Sequence, residues 1–511
     1  MDRSPARLRQ PSGRPVPWCV VTEPPTDGSP DKASLSDAQR RAVQHLLRVA
    51  PVVDELGAVF TAAGHEIALV GGSVRDALLD RLGSDLDLTT SARPEQTKSL
   101  LSDWADAVWD VGAAFGTIGA RRGEFHIEVT TYRADAYDPS SRKPMVSYGE
   151  SILDDLVRRD FTVNAMAVRL PSHEFVDPHG GLDDLTRRVI RTPATPESSF
   201  SDDPLRMLRA ARFASQIGFR VGSEVVAAMA AMADRISIIS AERIRDELVK
   251  LLLSERPVTG LRLLVDTGLA DRVLPELPQL RMEIDEHHRH KNVYEHSLIV
   301  LEQAVGLEPR LPDGGPDLVT RLAALLHDIG KPRTRRFEPG GGVSFYHHDV
   351  IGAKIARKRL TALKFPNAVV NDAAKLVELH LRFHGYGGGE WTDSAVRRYV
   401  RDAGPLLDRL HVLTRADCTT RNRRKALALA RSYDDLEQRI ARLAEAEELA
   451  ALRPDLDGNA IMEILGVPPG PVVGRAYRHL LELRLDKGPL DPAAAREELL
   501  RWWAGQPESA G

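Results

Sequence analysis

A chain of 511 residues exceeds the size at which one hydrophobic core usually stops growing, so roughly two to four domains are expected. Its 69 Lys and Arg against 73 Asp and Glu leave a net charge of −4, which excludes a nucleic-acid binder acting through an overall basic field and confines any RNA contact to local patches. Cys19 and Cys418, the two cysteines, stand far apart, which excludes a disulfide framework or a cysteine zinc site and fits a reducing, cytoplasmic compartment; no apolar run reaches the roughly 20 residues of a membrane span or the apolar core of a signal peptide.

Residues 1–34 are rich in Pro, Ser, Arg and Asp without apolar periodicity and read as a disordered extension. Ser36 and Asp37 offer a cap to a helix whose face carries Val52, Val53, Leu56, Val59 and Phe60 and which ends near Gly64. A strand over Ile67 to Val70, a helix over Val74 to Leu82, a strand over Leu86 to Thr89 and a helix over Pro94 to Trp104 follow. Thr117 to Ala120 and Phe125 to Tyr132 read as a hairpin across an Arg121 to Glu124 turn. Beyond about Thr192 strand signals almost vanish and Ala, Leu, Arg and Glu recur at helical spacing, with loops at Leu311 to Pro316, Pro339 to Gly342 and Gly385 to Gly389. The expected fold is a small α/β head, a mixed sheet with helices, on an elongated all-α body.

In Leu69-Val70-Gly71-Gly72-Ser73-Val74-Arg75-Asp76 two glycines lie between strand and helix, where backbone N–H groups favour an anion and Arg75 adds a positive fork; taken alone, such a junction is also a packing device. Ser84-Asp85-Leu86-Asp87-Leu88 puts two carboxylates on one face of a strand, and the hairpin offers a third in Glu128, opposite Phe125, Ile127 and Val129. Carboxylates set side by side repel, so they are either solvated or hold a cation. Convergent oxygens suit Mg²⁺ and a two-metal transfer.

These motifs resemble the active-site pattern of the polymerase-β-type nucleotidyltransferases, and within that superfamily the bacterial and eukaryotic class of CCA-adding enzymes together with bacterial poly(A) polymerases. The likeness continues in order through Phe115-Gly116-Thr117-Ile118-Gly119, Glu128 to Arg133, Leu156 to Met166, Asp177 to Leu185 and Ser201 to Phe213. It implies Asp85, Asp87 and Glu128 as catalytic Mg²⁺ ligands, Gly71, Gly72 and Arg75 as the triphosphate cradle, and Arg159, Asp160 and Asn164 as nucleotide contacts. The stretch between Arg133 and Glu150 matches the family's flexible loop.

Ser201 is expected to cap a helix that opens Asp202-Asp203-Pro204 and continues through Arg206 and Arg209. In the family this position carries a Glu-Asp-x-x-Arg template, with Asp203 and Arg206 on its base-reading positions, Arg209 beside them, and Asp202 where glutamate is usual. A carboxylate accepts from cytosine N4 or adenine N6 while an arginine donates to the adjacent ring nitrogen; guanine and uracil would leave buried groups unpaired, at about 1–3 kcal/mol each. The resemblance therefore implies stepwise addition of C, C and A to tRNA from CTP and ATP. A poly(A) polymerase shares the head motifs but typically carries a basic Gly-Arg-Arg-Phe segment where this chain has Asp110-Val111-Gly112 and Phe115 to Gly119.

Further on, Leu325-Leu326-His327-Asp328-Ile329-Gly330-Lys331-Pro332, with His296 before it and His348, His380 and Asp417 after it, resembles the HD-domain phosphohydrolases. That likeness implies His296, His327, Asp328 and Asp417 as ligands of one divalent ion, with His348 and His380 for a second ion or for a substrate phosphate. Either hydrolysis of phosphoesters such as a 2′,3′-cyclic phosphate or a structural, RNA-end-sensing role would follow. Glu286 to His290 is expected to be an exposed loop, and Ile461 to Gly474 a helix, Pro/Gly turn and helix like the tail that meets the tRNA elbow in CCA-adding enzymes. The expected division is a head over 35–190, a helical neck with the template helix over 191–283, an HD domain over 284–445 and a tRNA-binding tail over 446–511. A rival arrangement makes the HD domain the main activity and the head an RNA-binding module.

Overall fold

The computed structural model describes residues 51–81, 83–112, 116–133, 148–149, 151–282, 292–339, 342–383, 386, 391–420, 422–447 and 454–507. The N-terminal extension, the Ser36–Asp37 cap, most of the loop between Arg133 and Glu150, most of Gly385 to Gly389 and the Glu286 to His290 run lie outside these residues.

The head is built on strands β1 (Ile67–Val70), β2 (Asp85–Thr90), β3 (Ala107–Gly112), β4 (Thr117–Arg122), β5 (Phe125–Thr131), β6 (Ala167–Leu170) and β7 (Phe175–Val176), in the order β3-β4-β5-β2-β1-β6-β7. Every pairing is antiparallel except β2 with β5, which is parallel and sets Asp87 opposite Glu128. The all-apolar β1 is buried throughout, as a central strand covered on both faces must be, whereas β2 and β5 alternate exposed and buried positions.

Several boundaries differ from the sequence expectation. The first helix of the head spans Gly72–Leu78 instead of Val74 to Leu82, because Gly71 at φ +69° ends β1 abruptly and the chain leaves the helix before Asp80, which is left-handed at φ +58°. The hairpin turn shortens to Gly123-Glu124, with Arg121 and Arg122 still in the ladder. Strand β3, which Asp110 and a register irregularity obscure in the pattern, adds an edge beside β4. Two small pairings also survive in the helical part, β8 (Val189–Ile190) with β9 (Arg220–Val221) and β10 (Arg336–Phe337) with β11 (Val343–Ser344). The helix, turn and helix around Ile461 are present as Gly458–Leu465 and Pro471–Lys487, and with Pro492–Ala504 they close a small core of Ile461, Ala476, Leu480 and Leu499.

One of the ties between neck and body is a buried arginine. Arg321, in the helix Leu318–Leu326, pairs with Glu308 through two bonds of 2.6 Å and donates to the carbonyls of Leu252 and Ser254 at 2.6 and 2.7 Å. Both side chains are about 95 % buried, so neither charge has water to fall back on. Replacing Glu308 by Ala should therefore destabilise the junction by about 3–5 kcal/mol, read as a lowered urea midpoint for the helical body; an unchanged midpoint would mean that the pair is dispensable.

Candidate functional site

The turn after β1 brings the expected head residues to one place. A Cβ on Gly71 would lie 2.8 Å from Arg159 Nη1 and 3.7 Å from Asp87 Oδ2, so the bare backbone there lets a cation and a carboxylate approach the same turn. Ser73 locks that turn to β2: its hydroxyl accepts from the Asp87 N–H at 2.9 Å and reaches the Asp85 carbonyl at 3.4 Å. Asp85 and Asp87 share the open face of β2, and the parallel register sets Glu128 beside Asp87. Burial raises the Asp87 carboxyl, with Arg159 opposing and Asp85 adding to the rise; burial and then Asp87 and Asp85 raise Glu128. Mutual repulsion on an all-oxygen face is the electrostatic setting that a hard divalent cation relieves, so the donor set fits one. Among the described residues the donor groups that converge within 4.8 Å are both in the helical body; the head carboxylates share a face without closing so tightly.

Behind this face runs a buried relay of charge. Arg75 grips Asp76 at 2.8 and 2.7 Å and donates to Asn164 Oδ1 at 2.6 Å, so its fork is engaged within the protein. Asn164 donates to Asp160 Oδ1 at 2.9 Å, and Asp160 accepts from Arg209 at 2.8 and 2.5 Å. Arg209 stands 3.9 Å from Glu247, which pairs with Arg212 at 2.7 Å. Phe213 lies under the guanidinium groups of Arg75, Arg209 and Arg212 at 5.1, 5.9 and 4.3 Å. Burial alone would raise Asp160, but Arg209, the Asn164 bond and Arg206 outweigh it and lower its pKa to about 2. Arg159 is braced by Asp155 at 3.1 and 3.0 Å.

The template segment corrects the sequence reading. Ser201 caps nothing: it lies inside the helix Pro196–Asp202, which Thr195 caps, and the next helix, Leu205–Ile217, begins after Pro204. Thr195-Pro196 starts the first helix early, and Pro204, with no N–H to continue the ladder, breaks it from the second. Asp203 sits at the break, accepting from the Leu205 N–H at 3.1 Å through Oδ1 and from Arg243 at 2.8 Å through Oδ2. Arg206 is buried and donates to Ser199 Oγ at 2.8 Å and to the Arg158 carbonyl. The sequence did not single out Ser73, Asp76, Asp155, Arg243 or Glu247. Asp155 and Arg159 carry a readable i,i+4 spacing, whereas Glu247 and Arg243 meet their partners only through the packing of two neck helices.

In the body, two donor groups converge: His296, His327 and Asp417, and Asp328, His348 and His380. Asp328 joins them, with Oδ2 at 3.3 Å from His327 Nε2 and Oδ1 at 3.3 Å from His348 Nε2. His327, His348 and His380 each place Nδ1 on a backbone carbonyl, of Ala324, Phe345 and Val377, at 2.8, 2.8 and 2.7 Å. That fixes the rings and leaves Nε2 facing the cluster, the arrangement of metal-ligating histidines. His296 Nε2 lies 2.9 Å from Asp417. A Cβ at Gly330 would fall 2.1 Å from the His348 carbonyl, so the glycine of His-Asp-Ile-Gly admits the second helix. Burial lowers His327, but Asp328 and Asp417 reverse this and raise it to about 9, while burial and His327 lower His380 to about 4. A cavity of about 600 Å³ opens over the cluster.

Three family models match the chain: the poly A polymerase head domain over 67–191, the probable RNA and SrmB-binding site of polymerase A over 218–280, and the HD domain over 293–422. Relatives include the A-adding tRNA nucleotidyltransferase of Deinococcus radiodurans, 36 % identical over 86 % of this chain and 96 % of the relative. The CC-adding tRNA nucleotidyltransferase of Thermus thermophilus is 32 % identical over 86 % and 94 %, and the CCA-adding enzyme of Streptococcus gordonii 38 % identical over 46 % and 57 %. Among solved structures, the Bacillus stearothermophilus CCA-adding enzyme in complex with CTP superposes with a TM-score of 0.60 at 24 % identity, covering 91 % of this chain and 98 % of that one. That likeness shows a shared fold. Among the described residues no helix is long and apolar enough to cross a membrane.

Because the Asp160 pKa is depressed to about 2 from 3.8, its contribution is present above pH 4 and is lost as the pH falls through about 2. The stability gap between the natural protein and Asp160→Asn should be on the order of 2 kcal/mol at pH 6 and narrow steadily below pH 4. Urea titrations at stepped pH read it, and a gap that widened on acidification would contradict the ion-pair account.

Proposed function

The chain belongs to the family of tRNA nucleotidyltransferases, and on that premise we propose that it adds C, C and A one at a time, without a nucleic-acid template, to tRNA 3′ ends from CTP and ATP. The observation that carries this reading is the register of Asp87 with Glu128 on an open carboxylate face beside the Gly71 turn, in a chain that aligns over 86 % of its length with tRNA nucleotidyltransferases and over 46 % with a CCA-adding enzyme.

In this reading Asp85, Asp87 and Glu128 would hold Mg²⁺, which would supply activation of the attacking hydroxyl and charge neutralisation at the leaving pyrophosphate. Gly71 and Gly72 let the triphosphate come close to that face, and Arg159, braced by Asp155, meets its charge. Arg75 acts from behind, holding Asn164 and so Asp160 in place. Asp203 and Arg206 read the base, with Arg243 and Ser199 occupying their bonding groups until it arrives. Arg209 orients Asp160 at the join between head and neck.

We read the histidine–aspartate cluster as a second, metal-dependent centre acting on phosphoesters. The three Nδ1 anchors that aim Nε2 inward favour this over a purely structural role, since a packing histidine needs no such shared orientation.

The test of the main reading supplies the full-length protein and Mg²⁺ with tRNA transcripts ending at the discriminator base, at C and at CC, each nucleotide given singly and together. Extension that stops after CCA is expected. Addition of A alone or of CC alone would narrow the reaction to one part of the sequence, and long ATP-only ladders would mean a poly(A) polymerase.

Asp87→Asn and Glu128→Gln should each lower transfer by at least roughly 100-fold while leaving tRNA affinity nearly unchanged in filter binding. In contrast, Asp328→Ala should lose bound divalent metal by elemental analysis yet add nucleotides at the natural rate; retained metal would remove the basis for a second centre.

A further inference from the structure

We propose that Ser73 is a positioning residue for the carboxylate face of the head. Its hydroxyl stands in for the neighbouring strand that the outer end of β2 lacks, and so sets where Asp85 and Asp87 hold their side chains. The inference rests on reading Asp85, Asp87 and Glu128 as the Mg²⁺ ligands, and it adds the group that fixes two of them.

Successive residues of a strand turn their N–H and C=O groups to opposite edges. Just before β2 the Ser84 carbonyl accepts from the His126 N–H at 2.9 Å, on the β5 side, so by alternation Asp85 and Asp87 turn their backbone groups toward β1. The register of β1 with β2 pairs Ile67 with Thr90, Ala68 with Thr89 and Leu69 with Leu88, and stops there. Its next bonded step would set Val70 opposite Asp87, but the chain turns away at Gly71, with φ +69°, into the helix Gly72–Leu78. The two backbones that carry the β2 carboxylates therefore lie past the end of the strand that would brace them.

Ser73 fills that place from the first turn of the helix. Its side chain is buried, accepts from the Asp87 N–H at 2.9 Å and donates to the Asp85 carbonyl at 3.4 Å. One hydroxyl thus meets a donor and an acceptor two residues apart on one strand edge, as an adjacent strand would. Glu128 needs no such support, because β5 is paired on both sides, with Gly119 of β4 and Asp87 of β2 as the residues opposite it. Alanine at position 73 would leave the Asp87 N–H and the Asp85 carbonyl without this partner and release β2 where two carboxylates must converge on one ion. Groups that orient metal ligands typically govern metal affinity or activity by about 10–100-fold.

The test titrates Mn²⁺ alone into the full-length protein and follows the free ion by electron paramagnetic resonance; the head's sites are those lost in Asp87→Asn. In Ser73→Ala the half-saturating Mn²⁺ of that class should rise about tenfold, and Ser73→Thr, which keeps the hydroxyl, should restore the natural value. In nucleotide addition at saturating Mg²⁺, Ser73→Ala should lower kcat about tenfold with KM for CTP nearly unchanged, since the residue acts through the carboxylates and not on the nucleotide. An unchanged Mn²⁺ half-saturation in a folded Ser73→Ala, or a loss that Ser73→Thr does not recover, overturns the proposal. Should Ser73→Ala fail to fold, Ser73→Cys, of similar shape but with only a weak donor and acceptor, takes its place under the same criteria. A natural protein with no Asp87-dependent Mn²⁺ class overturns the metal assignment and this proposal with it. A natural protein that shows the class and its Ser73→Ala shift but adds no nucleotide leaves Ser73 in its role and overturns only the reaction assigned to the head.

Discussion

The head and neck depend on keeping a line of charges ionised out of water. Arg75 comes from the helix Gly72–Leu78 that follows β1, Asp160 and Asn164 from the segment before β6, and Arg209, Arg212 and Glu247 from two neck helices. No two of these segments supply a complete set of partners. A carboxylate buried as deeply as Asp160 stays charged only while Arg209 and Asn164 are both in place, and Arg209 is in place only while Phe213 and Glu247 pack around it. The cost of opening any link is that of an unpaired buried charge, so head and neck are held in one relative geometry. That geometry fixes the distance between the carboxylate face, where chemistry would occur, and the Asp203–Arg206 step, where a base would be read.

A similar economy of groups appears in the body. Asp328 gives one oxygen to each donor triad, and the same carboxylate accepts from Lys331. A side chain that belongs to both halves makes the cluster a unit, tying together histidines spread from 296 to 380 that four helices supply at or near their ends. The anchoring carbonyls come from the residue three positions earlier in each case: the last helical turn orients His327 and His380, and the turn that precedes its helix orients His348.

Much of this was legible in the sequence because the signals are local. Alternation in Asp85-x-Asp87 and in Phe125 to Val129 predicted which face each carboxylate occupies, and the spacing of glycines between strand and helix predicted the turn. The pairing of β2 with β5 was not legible, since a parallel register depends on a crossover through intervening elements and leaves no mark within either strand. The misplaced cap at Ser201 has a different origin. Acidic residues after a serine look like a helix start, but Thr195-Pro196 offers an equally good one a turn and a half earlier, and only tertiary packing decides between them. Glu247 and Arg243 carry no sequence signal at all, because each is an ordinary helical charge until Arg209, Arg212 or Asp203 is packed against it.

The chemistry of the Asp203–Arg206 pair also limits what it can decide under the proposed assignment. A carboxylate accepting from an exocyclic amino group and an arginine donating to the neighbouring ring nitrogen meet the same pattern on cytosine, at N4 and N3, and on adenine, at N6 and N1. The pair therefore rejects guanine and uracil but is indifferent between the two bases it admits. Under that assignment, whatever separates C from A must act on the size or position of the base and not on these two groups. The buried relay, which holds Asp160, Arg209 and the neck helices in one arrangement, would then keep the two reading groups in place while the choice between C and A is made elsewhere.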